Sequence, residues 1–312
     1  MIKGKKRKIS RNTDTGFRVF TGVCAACALV IITGIFIELL RNSHLAIKKF
    51  GISFLLSQEW NPVTQSFGAL SSVYGTVVST CIAMIITVPM SLMIALFLVE
   101  LAPPLLSRVI GYAIELLAAI PSIIYGMWGL FVFAPFIADH VQSPLGEHLG
   151  FLPLFRGPPM GIGMMTAGII LALMILPFIS AIMRDVFQMV PPVVKEAGFG
   201  MGATTWEVSS KIVVPYGIQG LVGASFLGLG RALGETMAVT FVIGNSHLIS
   251  ASLFSPGNSI ASTLANEFTE ASEPLYLHAL VELGLILFII TFLIQIAAQL
   301  WLKRLHRSIG EK

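Results

Sequence analysis

From Ser72 to Val99 no side chain carries a charge: the run reads SVYGTVVSTCIAMIITVPMSLMIALFLV. A helix of about 20 apolar residues, rising 1.5 Å at each, crosses a bilayer core of roughly 30 Å. No soluble core needs such a segment. Comparable runs lie near 17–40, 110–137, 161–183, 217–243 and 278–302, and the whole chain is 55% hydrophobic and only 12% charged, with a mean hydropathy of +0.85. In hydrocarbon every backbone polar group must be satisfied within its own segment, which selects helices for spans of this length. The expectation is an all-α integral membrane protein with six transmembrane helices. The first run exceeds a signal-peptide core and passes Glu38 and Arg41 without a small-x-small site, so it reads as a retained span.

Six crossings put both termini on one side, and charge chooses the side. With the termini inside, fifteen of the twenty basic residues lie on inner segments, from Lys3 to Arg18 and then Arg108, Arg184, Lys195, Lys211, Lys303, Arg304, Arg307 and Lys312. Arg41, Lys48, Lys49 and Arg156 lie outside, and Arg231 alone falls within a span. The positive-inside rule therefore predicts cytoplasmic N- and C-termini in a multi-pass membrane protein. The net charge of +4 reports topology and contact with anionic lipid. The basic run KGKKRK lacks the stacking and groove-reading residues of a nucleic-acid binder, so no nucleic-acid partner is expected.

Catalytic chemistry finds little footing. Cys24, Cys27 and Cys81 lie inside spans, where they read as small apolar side chains rather than a redox pair. The six histidines are scattered over loops and span ends without ligand spacing, so neither a metal nor a cofactor is expected. There is no Ser–His–Asp or Cys–His set and no G-x-x-x-x-G-K-[ST] loop for ATP. The chain reads as a non-enzyme whose energy comes from a partner.

Pro89, Pro121, Pro135 and Pro177 interrupt spans, which is tolerable where protein or a watery cavity satisfies the freed carbonyls. The fifth span is crowded with Gly217, Gly220, Gly223, Gly228, Gly230 and Gly234, a spacing that admits another helix closely, from this chain or another. The inner loop 184–216 is the most informative soluble segment. Pro191 and Pro192 open a short helix through Glu196 and Ala197, and Gly198, Gly200 and Gly202 offer a turn. Thr204 with Glu207 is a capping-box pattern, starting a second short helix through Ile212 that Pro215 is expected to end. Two helices held under a membrane make a docking element.

The stretch EAGFGMGATTWEVSSKIVVP resembles the EAA loop of ATP-binding-cassette importer permeases: Glu-Ala-Ala, three residues, Gly, nine residues, Ile, one residue, Leu-Pro. Glu196, Ala197, Gly202, Ile212 and Pro215 occupy matching positions, while Gly198 and Val214 depart mildly from the pattern. In that family the loop is the coupling helix seated in a groove of the ATPase. Four further stretches, ELLAAIPSIIYGMWGLFVFAP, RALGETMAVTFVIGN, PGNSIASTLANEF and KKFGISFLLSQEW, resemble the phosphate-specific branch, and Met237, Ala238 and Val239 after the Arg-Ala-x-Gly-Glu-Thr motif favour its C-type subunit. The resemblance implies a type I importer permease fold in a phosphate importer. Its partners would be a sister permease of the PstA type, a pair of PstB-type ATPase subunits and an external PstS-type phosphate-binding protein. The chain then divides into a basic cytoplasmic tail (1–16), a first transmembrane helix (17–40), an external loop (41–71), a permease domain (72–302) containing the coupling loop, and a second tail (303–312). A gradient-driven secondary transporter and a membrane sensor or scaffold are the rival classes. The first would be expected to carry inverted repeats, which the halves do not show, and the second leaves mid-span charges without a use.

Those charges lie in RALGETMAV, residues 231–239. An arginine at mid-span costs about 2.5–3.5 kcal/mol on insertion scales and is seldom there without use or partner. On one continuous helix Glu235 would lie a turn from Arg231, close enough to pair. Two readings stay open: a neutral ion pair gluing the fifth helix to its neighbours, or a pathway site at Arg231, Glu235 and Thr236 where Arg231 meets phosphate in transit. Glu115 and Glu282, near span ends, are expected to snorkel. Glu267, Glu270 and Glu273, on the outer segment 244–277, are expected to meet the binding protein.

Overall fold

The computed structural model describes residues 3–310, with side chains described over 14–304. The basic run from Lys3 to Arg11 and the tail beyond Arg304 thus lie outside the described side chains. Among the described residues the chain is helical throughout, with one isolated bridge between Asn61 and Ser66 and no strand. Six helices are long and apolar enough to cross a membrane: Asp14–Asn42, Leu70–Leu101, Ser122–Leu149, Met164–Gln188, Thr205–Leu233 and Pro274–Arg304.

Three differ from expectation in instructive ways. The third span begins at Ser122, after a separate helix Pro104–Ala118. Pro121 causes the division, because the residue before a proline is pushed out of the helical region and the proline then opens the next helix. The separate helix buries Gly111 and Ile114 while Leu105, Val109 and Leu116 stay exposed, so it is amphipathic and Glu115 stands outside any span. The fifth span begins at Thr205, because the second short helix continues into it through a π-turn, Ser209–Val213. Pro215 does not end that helix. A π-turn shifts the backbone partner from i−4 to i−5, and the widened turn accommodates a ring that would otherwise strike the carbonyl four residues back. The expected loop 184–216 therefore narrows to the residues between Gln188 and Thr205, with the helix Pro192–Gly200 inside it. At its far end the fifth span stops at Leu233, not at 243. On the sixth span Glu282 does not snorkel: it is 6% exposed and its Oε2 has no hydrogen-bond partner.

The fourth span is the axis of the molecule. Ile170, Ile175, Ile179, Met183 and Phe187 along it are fully buried. The second span lies against it, with Thr87 Oγ1 donating to the Ala172 carbonyl and Ser91 Oγ to that of Leu176, each at 3.2 Å. Small hydroxyl residues of this kind hold apolar helices together where the hydrophobic effect gives no preference. Three of the fifth span's glycines find their partner in the same chain: Gly217 and Gly220 face Val186, and Gly228 faces Ile179, whereas Gly223 meets nothing within 4 Å. The first span, by contrast, is exposed nearly throughout and touches the sixth, with Phe36 against Phe288 at 5.6 Å between ring centroids.

An even number of spans brings the chain ends to one face, shared with the helices Pro104–Ala118 and Pro192–Gly200. The opposite face is built from the segments around 43–69, 150–163 and 243–273. There Phe54, Phe67, Tyr276 and Leu280 form an apolar cluster that seats the segment after the first span against the sixth. Glu267 lies beside this cluster and accepts hydrogen bonds from Trp60 Nε1 (2.5 Å), Tyr276 Oη (2.7 Å) and His247 Nε2 (3.1 Å). Burial alone would raise its pKa, but the His247, Tyr276 and Trp60 hydrogen bonds outweigh burial and hold it below the ordinary carboxylate value.

Candidate pathway break and docking turn

The fifth span's RALGET segment is a break and not a continuous helix. The helix closes at Leu233, and a second helix of six residues, Met237–Val242, starts beyond Gly234, Glu235 and Thr236. Gly234 weakens helical propagation, and the residues after it turn to local capping. Thr236 Oγ1 donates to the Gly234 carbonyl at 3.3 Å, and Glu235 Oε1 accepts from the Ala238 amide at 3.1 Å.

That break explains both charges without pairing them. Arg231 stands in the last turn of the outgoing helix, where unsatisfied carbonyls favour a cation. Glu235 precedes the next helix and satisfies one of its free amides. Among the described residues there is no ion pair between Arg231 and Glu235. Arg231 instead lies over the Phe178 ring of the fourth span, its Cζ 5.3 Å from the ring centroid, and its side chain is exposed. An arginine resting on an aromatic face keeps its guanidinium donors free for an anion. Beside the break a cavity of about 510 Å³ is lined by Gly234, Thr236, Met237, Leu264, Val281 and Gly284. Thr236 thus reaches a concavity bounded by the sixth span and the helix Ile260–Glu267.

At the face of the chain ends the docking residues come together as a helix, a turn and a second helix. Pro192 opens the helix Pro192–Gly200, on which Glu196 and Ala197 are exposed. Gly202 makes the turn with φ +83°, a left-handed conformation that a side chain resists, although a Cβ there would meet no atom within 4 Å. Thr204 and Glu207 form the capping box expected of them. Ile212 is half-buried and leans on Gly198, where a Cβ would stand 2.6 Å from Ile212 Cδ1, so the glycine in place of the pattern's alanine lets the two helices close. Pro215 is exposed one turn further along. Val193, Met201 and Trp206, at 72%, 82% and 70% exposure, leave an apolar surface around the turn uncovered within the chain.

Sequence reasoning missed the anchors of this element. Lys195 Nζ meets Glu100 Oε1 at 2.5 Å and ties the helix Pro192–Gly200 to the end of the second span. Glu100 is almost buried, so losing its partner would strand a charge. Arg184 Nη2 meets Glu115 Oε1, also at 2.5 Å, fastening the amphipathic helix to the fourth span. Each pair joins residues far apart in the chain, so no local spacing announces it. Of the three outer acids, Glu267 is taken up by its three donors and Glu273 accepts from Gln65, while Glu270 is exposed.

Comparison with known proteins sharpens the reading. Residues 66–311 match the family described as binding-protein-dependent transport system inner membrane component. A phosphate transport system permease protein PstC of Mesorhizobium japonicum is 54% identical over 96% of this chain and 92% of its own length. One from Haemophilus influenzae is 50% identical over 98% and 99%, and a probable one from Methanocaldococcus jannaschii is 34% identical over 97% and 98%. Among solved structures, an inward-facing MetNI methionine ABC transporter shares the fold, with a TM-score of 0.54 and 19% identity over 76% of this chain and 94% of the other.

Proposed function

Because the chain belongs to the binding-protein-dependent transport system inner-membrane components, we propose that it is a permease subunit of an ATP-driven phosphate importer. The observation that carries the substrate is the 54% identity, across nearly the whole chain, to a relative named for phosphate transport. The face of the chain ends is cytoplasmic in this reading, in keeping with the excess of Lys and Arg there. The protein sits in the bacterial plasma membrane beside a sister permease. A pair of ATPase subunits docks on the turn formed by Glu196, Ala197, Gly202, Ile212 and Pro215, and an external phosphate-binding protein delivers cargo to the opposite face.

Cargo passes the break in the fifth span, where Arg231 meets the anion and Thr236 lines the adjoining concavity. Glu235 holds the start of the following helix and keeps the segment from closing into a continuous span. A single exposed guanidinium binds phosphate weakly, and weak holding suits transport because a tight site would retain its cargo. The chain contributes no hydrolytic chemistry of its own.

Vesicles containing the whole complex test this reading. Phosphate uptake should require ATP on the side of the ATPase and persist after ionophores collapse the Na⁺ and H⁺ gradients. Uptake that follows those gradients and ignores ATP would reveal a secondary transporter instead.

A further inference from the structure

A separate concavity lined by two arginines lies at the face of the chain ends, between the amphipathic helix Pro104–Ala118 and the end of the fourth span. Its volume is about 360 Å³, and Arg108, Tyr112, Glu115, Arg184 and Gln188 line it together with Ser107. The helix approaches closely because Gly111 has no side chain: a Cβ there would stand 2.1 Å from Arg184 Nη1.

The concavity gathers donors that have no acceptor among the described residues, with Arg108, Tyr112 and Gln188 open to solvent. Arg184 spends Nη2 on Glu115, yet its Nε is buried without a partner. The side chains of Arg108, Tyr112 and Gln188 make no hydrogen bond or ion pair among the described residues. Ser107 donates to the Leu98 carbonyl, so its own hydrogen is already used. Glu115 is the one carboxylate in the lining, and Arg184 is shared between it and Asp185, whose Oδ1 lies 3.8 Å from the same Nη2. Arg108 is left without a carboxylate partner, and donors from three residue types converge on one space. Only Arg184 Nε is a buried donor without an acceptor; Arg108, Tyr112 and Gln188 are exposed, and an oxyanion there replaces water at their donors.

We infer that this concavity binds a phosphate-class oxyanion, held by the Arg108 and Arg184 guanidinium groups, the Tyr112 hydroxyl and the Gln188 amide. Guanidinium forks match tetrahedral oxyanions, and Arg108, which has no carboxylate partner, supplies a countercharge. Two sources offer that chemistry. The helix exposes Leu105, Val109 and Leu116, which suits a helix lying at a membrane surface, and so brings the site to the level of lipid headgroups. Free inorganic phosphate reaches the same face from the aqueous side. The site is separate from the break in the fifth span, and its existence does not rest on what the protein transports.

The test uses the permease complex with its ATPase, purified without the external binding protein in a phosphate-free maltoside detergent. Binding of radiolabelled inorganic phosphate is measured in one arm, and retention of added phosphatidylglycerol by native mass spectrometry in the other. Arg108→Gln with Gln188→Leu should weaken at least one of the two by about tenfold, whereas Lys303→Gln, which removes a charge from the same face elsewhere, should change neither. Loss confined to the first arm assigns the site to free phosphate, and loss confined to the second assigns it to a lipid headgroup. Tyr112→Phe removes one hydroxyl with no loss of packing and should give a smaller loss in the same arm, which keeps the test decisive should the double variant fail to assemble. Wild-type binding in both arms by the variants would overturn the inference.

Discussion

The two ends of the fifth span reverse what their sequences suggest. Near its start Pro215 should end a helix, and the helix runs on; near its end GLGRALGETMAV should propagate one, and the helix stops at Leu233. The first end is rescued by a π-turn that widens the backbone around the proline. The second gives way because Gly234 is a poor helix former and Glu235 and Thr236 cap locally. The end that carries the helix–turn–helix is thereby continuous with the span. The other end is interrupted just beyond Arg231, at a segment whose Gly234 and Thr236 line a concavity.

The comparison can be broken most severely at Arg231. Arg231→Gln should lower phosphate uptake by about 100-fold or more while leaving complex assembly near wild type, since no ion pair is lost; purification yield and uptake measured together check this. Arg231→Lys should keep a fraction of the flux, because charge survives while the fork is lost.

At the other end, Gly202→Val forces a β-branched residue to φ +83°. The strain of roughly 1–2 kcal/mol, without any steric clash, should reduce ATPase retention and uptake about tenfold. Gly202→Asn, which tolerates that region, should do less. Co-purification of a fully active ATPase complex with Gly202→Val would count against the docking role.

The outward fold was largely legible because hydropathy at span length leaves few alternatives, and the docking turn because its signals are local. Pro192 opening a helix and Thr204 with Glu207 capping the next can be read from adjacent residues. The break was not legible, since Gly-Glu-Thr in an apolar run reads equally as a polar turn of a continuous helix. Helical spacing then suggested an Arg231–Glu235 pair that the real geometry does not form. Glu100 with Lys195 and Glu115 with Arg184 escaped notice for another reason: packing of distant spans, not spacing, brings them together.

Glu235 sharpens the contrast on a finer scale. Glu235→Ala removes the acceptor for the Ala238 amide and should cost about 1 kcal/mol, visible as a lower Tm of the complex, while Glu235→Gln keeps an acceptor oxygen and should cost less. The smallest effect is expected at Pro215. Because the π-turn already accommodates the ring, Pro215→Ala should shift stability by no more than about 0.5 kcal/mol and lower uptake less than Gly202→Val does. A large loss would mean that the proline itself, and not the widened turn, maintains the docking end.

The central claim is that Arg231 serves the anion and Glu235 serves the helix, each independently of the other. The most direct measurement is phosphate uptake by Arg231→Gln combined with Glu235→Gln, at protein levels matched to wild type. The account predicts that the doubly neutral variant assembles and stays as inactive as Arg231→Gln alone, because the countercharge for phosphate is still missing. Uptake restored to wild-type rates would contradict it and show that the two charges were holding the helices to each other.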